Sequence, residues 1–297
     1  MHIPVLSNEI IDGLELRQGD IVLDATVGFG GHSKEICARI GDRGSIIGID
    51  MDEAALKESS RALIQCSSRI ILEKSSFRKI KEILDKHKIS SIDKAIFDLG
   101  LSSHQIEKSG RGFSFIKKDE PLIMTFSAAP PQGKLTAGDI VNDWSEEEIA
   151  NVLFAYGDER AARRIAAEII KERKHKKIET AGELADIILR SVPLFRRYGK
   201  IHPATKTFQA LRVAVNDEYD ALKEGLAAAF GALAQGGRIA VISFQSGEDR
   251  ITKRQFLEWK KNALADILTK KPIRPSDEEI KNNPRARSAK LRIIQKI

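Results

Sequence analysis

The sequence predicts an α/β fold: a doubly wound, mainly parallel sheet interrupted by a helical insert. Two observations carry this. Short apolar runs alternate with helical segments from Ile21 to Asp98, the rhythm of strands joined by crossover helices. That rhythm then stops. From about Ser109 to Arg197 only helical patterns appear, and a buried strand returns at RIAVISF, Arg238 to Phe244.

The elements follow in order. Pro4, Val5 and Leu6 form an extended lead after His2, and Ile10, Ile11 and Leu14 line an amphipathic helix. Ile21, Val22 and Leu23 are a run that a parallel sheet buries on both faces, ending in Asp24. Gly28, Gly30 and Gly31 allow a tight turn and close approach of a ligand to the backbone. A helix follows from Ser33 to Ile40, with Ile36 and Ile40 on one face. Ile46, Ile47 and Ile49 form the second strand, with Asp50 at its tip, and a helix runs from Glu53 to Gln65. Ile70 to Leu72 form the third strand, followed by Ser75, Ser76 and Phe77 and by a charged helix from Arg78 to about His87. Ala95 to Phe97 form the fourth, ending in Asp98-Leu99-Gly100.

In the interrupted region helices are predicted over 145–156, 159–173 and 180–191, and Ser145 with Glu148 and Thr180 with Glu183 fit capping boxes. A further helix carries Leu222, Leu226, Ala229, Phe230 and Leu233 on one stripe, suited to docking on the sheet. Gly236-Gly237 announces the fifth strand, and 265–272 and 290–296 read as a closing pair. The expected division is a discontinuous domain of residues 1–108 and 205–297 around an insert of 109–204.

The bulk composition narrows the classes. Hydrophobic residues make up 42% and charged residues 31% of the 297, enough for a folded core and a solvated surface. The balance is 49 basic to 42 acidic residues, or +7, which is compatible with a nucleic-acid partner without demanding one. MHIPVLSNEIIDGL lacks the basic-then-apolar pattern of a secretory signal, and no apolar run approaches the ~18 residues of a membrane span. Cys37 and Cys66 fall in predicted helices without metal spacing or a disulfide framework. They are expected as small buried thiols in a reducing, cytoplasmic setting.

Ligands of such sheets bind at the carboxyl ends of the strands, so Asp24, the glycine loop, Asp50, Phe77 and Asp98 should gather on one edge. An acid roughly 20 residues after a glycine loop is placed to hydrogen-bond ribose hydroxyls. The loop Gly28-Phe29-Gly30-Gly31-His32 lacks the third glycine of a dinucleotide fingerprint, and there is no second mononucleotide half. Asp24, Gly28, Gly30, Asp50 and Asp98 instead fit the layout of S-adenosylmethionine enzymes of the doubly wound class. Taken singly, each is weak, since an Asp at a strand end is more often a cap. Their order makes the case.

Longer motifs run through the whole chain in one order: HIPVL, DATVGFGGHS, FDLGLSSHQ, RGFSF, HPATKTFQALR, VNDE, GGRIAVISF, EDR and NPRARSAKLR. Together they closely resemble the bacterial small-subunit ribosomal RNA methyltransferase H family. The resemblance implies a class I S-adenosylmethionine-dependent methyltransferase fold. It implies methylation of the exocyclic N4 of one cytidine in the decoding region of 16S rRNA, with rRNA or the assembled small subunit as partner. By the same resemblance Gly30, Gly31 and His32 line the cofactor, Asp50 meets its ribose, Phe77 lies by the adenine, and Asp98 and Gln105 complete the pocket. Without it, Phe77 reads as core packing, His32 as a helix-start residue and Gln105 carries no signal.

Methyl transfer from a sulfonium is an in-line displacement, accelerated by positioning. The N4 lone pair of cytosine is shared with the ring, and a group accepting an N4 hydrogen would localise it. Asp98, or a carbonyl of Asp98-Leu99-Gly100, is best placed to do so. No metal is required. Methylation at carbon 5 would need a cysteine nucleophile, and neither Cys37 nor Cys66 sits in a loop after a core strand. The insert is expected to face RNA through Arg160, Arg163, Arg164, Lys171, Arg173, Lys174, Lys176 and Lys177, with Arg196, Arg197, Lys200 and Lys206 beyond. A homodimer is compatible with the sequence.

Two segments depart from the family pattern. Leu122-Ile123-Met124-Thr125 replaces a leucine, aspartate, methionine, arginine run. Phe244-Gln245-Ser246-Gly247 replaces phenylalanine, histidine, serine, leucine. Both fall where the target base is expected, so the alternative reading is a catalytically weakened homologue that binds cofactor and rRNA.

Overall fold

The computed structural model describes residues 4–128, 132–199 and 202–297; His2, Ile3 and Lys200 of the sequence reading lie outside them. The chain forms two compact units, one of residues 1–100 with 219–297 and one of residues 101–218.

The first unit carries α1 (Ser7–Leu14), β1 (Ile21–Asp24), α2 (Gly31–Ile40), β2 (Ser45–Asp50), α3 (Glu53–Ala62), β3 (Arg69–Lys74), α4 (Ile80–Lys86) and β4 (Ile92–Asp98). The second carries α5 (Ser103–Glu107), α6 (Ala137–Asp143), α7 (Glu146–Gly157), α8 (Ala162–Arg173), α9 (Ala181–Ser191), α10 (Leu194–Arg197) and α11 (Ala204–Asn216). The first unit resumes with α12 (Glu218–Ala232), β5 (Leu233–Ser243), α13 (Ser246–Lys261), β6 (Ala265–Ile267), α14 (Asp277–Asn282) and β7 (Lys290–Lys296).

The seven strands lie in the order β3-β2-β1-β4-β5-β7-β6, with β7 antiparallel to both neighbours and the strands β1 to β5 parallel. This is the class I methyltransferase fold that the sequence predicts. Its apolar runs are continuous because alternate residues feed opposite faces. Val22, Ile46 and Ile96 pack with Ile10, Leu14, Ile36 and Ile40 on one side. Leu23, Ile47 and Phe97 pack with Ile83, Leu222 and Leu226 on the other.

The second unit has its own core, built from Ile140, Ile149, Leu153, Ile165, Ile169, Leu184, Ile188, Phe208 and Leu211. It is wider than the 109–204 expected from sequence, since α11 contributes Ala204, Phe208, Leu211 and Val215 to that core. Both predicted capping boxes form, at Ser145 with Glu148 and at Thr180 with Glu183.

Three details differ from the sequence reading. The helix placed from Glu159 starts at Ala162, because the Glu159 carboxylate turns back to accept the Ala161 N–H at 2.7 Å. The fifth strand begins at Leu233, so that residue is not on the α12 stripe; the sheet tolerates Gly236 and Gly237 as an irregularity between the pairs Ile92↔Leu233 and Lys94↔Arg238. Finally, Cys37 and Cys66 are not separate thiols. They are joined as a disulfide with Cα atoms 6.0 Å apart, linking α2 to the chain just after α3.

Among the described residues no helix is long and apolar enough to cross a membrane, and no group of His, Cys, Asp and Glu is placed to hold a metal ion.

Candidate cofactor site

The carboxyl ends of β1, β2 and β4 present three acids joined to one glycine loop. The loop is held from below by Asp24, which is 2% exposed. One of its oxygens accepts the Ser33 hydroxyl at 2.6 Å and the other the Thr26 N–H at 3.3 Å. Burial pushes the Asp24 carboxyl above its ordinary range despite these bonds. Asp24 therefore ties the end of β1 to the first turn of α2, and its bonds point inward.

Gly28 and Gly30 take left-handed backbone angles, φ 51° and 78°. At Gly30 a side chain would also press on Ser59, whose Cα and Cβ lie 3.3 Å from the position a Cβ would occupy. The Gly28 N–H donates to Asp50 Oδ2 at 3.0 Å and the Asp52 N–H to Asp50 Oδ1 at 2.8 Å. Asp50 thus fixes the loop across the β1–β2 gap. Each oxygen keeps a second lone pair for a ligand hydroxyl. Burial pushes this carboxyl up to about 6 against the two N–H donors.

Asp98 closes the group at the tip of β4, where its own N–H donates to Thr26 Oγ1 at 2.6 Å. His32, in the first turn of α2 and 8% exposed, places Nε2 3.5 Å from Asp98 Oδ2. That is an ion-pair separation rather than a hydrogen bond. Burial alone would lower the imidazole, but the Asp98 carboxylate, with Asp24 behind it, outweighs this and holds His32 toward its protonated form. His32 Nε2 and Asp98 Oδ1 are buried and hydrogen-bonded to nothing among the described residues. Two unspent polar atoms beside a glycine cradle are what a polar ligand would satisfy.

Gly30, Gly31, His32, Asp50 and Asp98 are thus brought together on one edge of the first unit. Phe77 starts a 3₁₀ turn (Phe77–Lys79) after β3 and packs edge-on against Phe97, with ring centroids 5.7 Å apart. Gly225 of α12 leaves room for that ring, since a Cβ there would sit 2.6 Å from Phe77 Cδ2. The ring is therefore part core, as its residue type alone suggested, and half-exposed beyond it. Gln105 belongs to the second unit, where it closes the capping box of α5: Oε1 accepts the Ser102 N–H at 2.9 Å. Sequence reasoning overlooked Thr26 and Ser33. Hydroxyl residues are ordinary in loops, and only their flanking of the glycines in DATVGFGGHS hinted at a shared role.

The first departing segment is largely buried, while in the second Phe244 and Gln245 are half-buried and Ser246 is exposed. Leu122, Met124 and Thr125 are at most 3% exposed, and the Thr125 hydroxyl donates to the Ser127 carbonyl. Met124 adopts φ 56°, held by its N–H on the Arg111 carbonyl and by the Asn216 amide, which donates to the Met124 carbonyl. At the start of α13, Gly247 faces Tyr219 so closely that any Cβ would overlap the phenol oxygen.

The profile of the MraW methylase family matches residues 1–297 of this chain. The chain belongs to this family. Among its relatives are proteins named ribosomal RNA small subunit methyltransferase H. That of Sulfurihydrogenibium sp. is 46% identical over 296 residues, covering 100% of this chain and 99% of the relative. That of Heliobacterium modesticaldum is 45% identical over 312 residues, covering 100% and 98%. That of Brevibacillus brevis is 42% identical over 311 residues, again covering 100% and 98%.

Proposed function

We propose that this chain transfers the methyl group of S-adenosylmethionine to the exocyclic N4 of a cytidine in the decoding region of small-subunit ribosomal RNA. The observation that carries this is the full-length family match, with relatives at 40% identity and more spanning both chains end to end.

The residues present suit the cofactor. Gly28 to Gly31 offer a backbone cradle that a side chain at Gly30 would crowd, and Asp50 retains acceptor capacity for ribose hydroxyls. His32 Nε2 and Asp98 Oδ1 are a donor and an acceptor that make no hydrogen bond among the described residues. Phe77 is assigned to the adenine. When bound, S-adenosylmethionine supplies an electrophilic methyl carbon on a sulfonium sulfur.

The remaining work is positioning. With Oδ2 turned to His32, Asp98 Oδ1 accepts a hydrogen of the target amine. This localises the nitrogen lone pair and aims it, while the bond from the Asp98 N–H to Thr26 fixes the strand tip from which the carboxylate projects. Once alkylated, the amine is acidic and gives up its proton to Asp98 or to water. The unit of residues 101–218 is assigned to holding RNA.

The test uses the full chain with small subunits and with protein-free rRNA from a strain lacking the gene, followed by nucleoside mass spectrometry. N4-methylcytidine should appear, and the better of the two acceptors identifies the form of substrate. Methyl transfer to carbon 5, or cofactor binding with no transfer, would overturn the proposal. The second outcome would instead support the weakened homologue suggested by 122–125 and 245–247.

A further inference from the structure

We infer that α10 and the start of α8 form a stacking platform for unpaired nucleotides, an RNA contact made by aromatic faces as well as by charge. The inference rests on the rRNA reading above and names the surface that the second unit would use.

In this four-residue helix and its cap, Phe195 is 80% exposed and Tyr198 87%. They are spaced i, i+3, so they project from the same side. Large aromatics this exposed on a water-soluble surface usually have a partner. Their carrier is pinned rather than loose. Arg196 makes a forked pair with Glu159 at 3.1 Å, and Arg197 donates to the carbonyls of Val192 and Arg190. Glu159 is 1% exposed and fully engaged, its other bond running to the Ala161 N–H. The Glu159–Arg196 pair thus holds α10 beside the entry to α8.

That entry is where the uncommitted positive charge lies. Arg173, Arg196 and Arg197 are spent on carbonyls or on Glu159, and Lys171 and Lys176 pair with Glu168 and Glu183. Arg160, in the turn before α8, and Arg163 and Arg164, in its first turn, are exposed and make no ion pair among the described residues. A pinned pair of aromatic faces next to three such guanidinium groups matches unpaired RNA. Bases stack on the rings, and phosphates meet the arginines. A purely apolar partner would leave those charges unmatched.

The experiment uses the full-length chain and a fluorescein-labelled single-stranded oligoribonucleotide of about 12 nucleotides, with its duplex as control. Replacing Phe195→Ala with Tyr198→Ala should weaken single-strand binding roughly 10- to 100-fold, with little effect on the duplex. The thermal midpoint should be unchanged. Phe195→Trp should retain affinity, and its indole fluorescence should be quenched on binding. Replacing Arg160, Arg163 and Arg164 with Gln should weaken both RNAs and flatten the log K against log salt slope by about 2. No binding by the wild type, an unchanged alanine variant, an equal loss on the duplex, or a silent tryptophan would each overturn the platform. A wild type that methylates small subunits while the alanine variant keeps its RNA affinity removes the platform alone; a wild type that methylates nothing removes the rRNA reading.

Discussion

The two units use polar residues in opposite ways. At the strand tips of the first, Asp24, Asp50, Thr26 and Ser33 are bonded to neighbours, whereas the buried His32 Nε2 and Asp98 Oδ1 make no hydrogen bond among the described residues. In the second, the sequence shows a dense run of Arg and Lys, yet several of those side chains are internal ties. A rigid cradle is identified by the atoms it leaves unspent. A basic surface is identified only after the charges consumed by the fold are subtracted.

The largest test of this contrast is Arg212→Ala. Arg212 and Glu218 form a buried forked pair at 2.6 and 2.7 Å, and removing the cation strands a carboxylate that is 9% exposed. A loss of about 3–5 kcal/mol in unfolding free energy is expected by denaturant titration, largely recovered when Glu218→Leu is added to Arg212→Met. Asp98→Asn should come next, cutting kcat for methyl transfer roughly 100-fold with the fold unchanged, since an amide presents a donor where an acceptor is needed. Within the basic run, Arg173→Ala should cost about 1–3 kcal/mol, because it leaves the Val141 and Trp144 carbonyls unpaired. Arg163→Ala should stay within about 0.5 kcal/mol by the same measurement. An equal effect of these two would erase the distinction between spent and free charge. A further effect is in pH. With Asp50 pushed up to about 6 by burial, acidification through that value protonates the carboxyl and removes acceptor capacity. Calorimetric cofactor affinity should hold above pH 6 and fall by up to about tenfold per pH unit below it, a slope that Asp50→Asn abolishes.

The sheet was legible because each strand advertised itself. Val22-Leu23, Ile46-Ile47 and Ile96-Phe97 feed both faces, so their runs are unbroken and short. The strand-tip acids were legible for the same reason, as each is the first polar residue after such a run. What lay hidden depended on partners distant in sequence. Nothing around residue 204 says that α11 packs with α6 to α9, and nothing near Cys37 says that Cys66 lies against it. Phe195 and Tyr198 were invisible as a surface because exposure is not written in PLFRRYG. The structural partners of the departures at 122–125 and 244–247 were not legible either: Thr125 bonds the Ser127 carbonyl, and Gly247 makes room for Tyr219.

The placement of β4 against β5 has a consequence for how the chain comes to be. Phe97 pairs with Val241 and Asp98 with Ile242, yet the whole second unit is synthesised between them. When residue 100 has emerged, β1 to β4 can pair, but one edge of β4 is left with its backbone N–H and C=O groups unpaired. Its partner β5 follows only after residues 101–218, which have a core of their own, and β7 and β6 then extend the sheet beyond β5. The nascent protein therefore passes through a stage in which a finished helical unit hangs from an unfinished sheet. At that stage the unpaired edge of β4 is open to pairing with another chain.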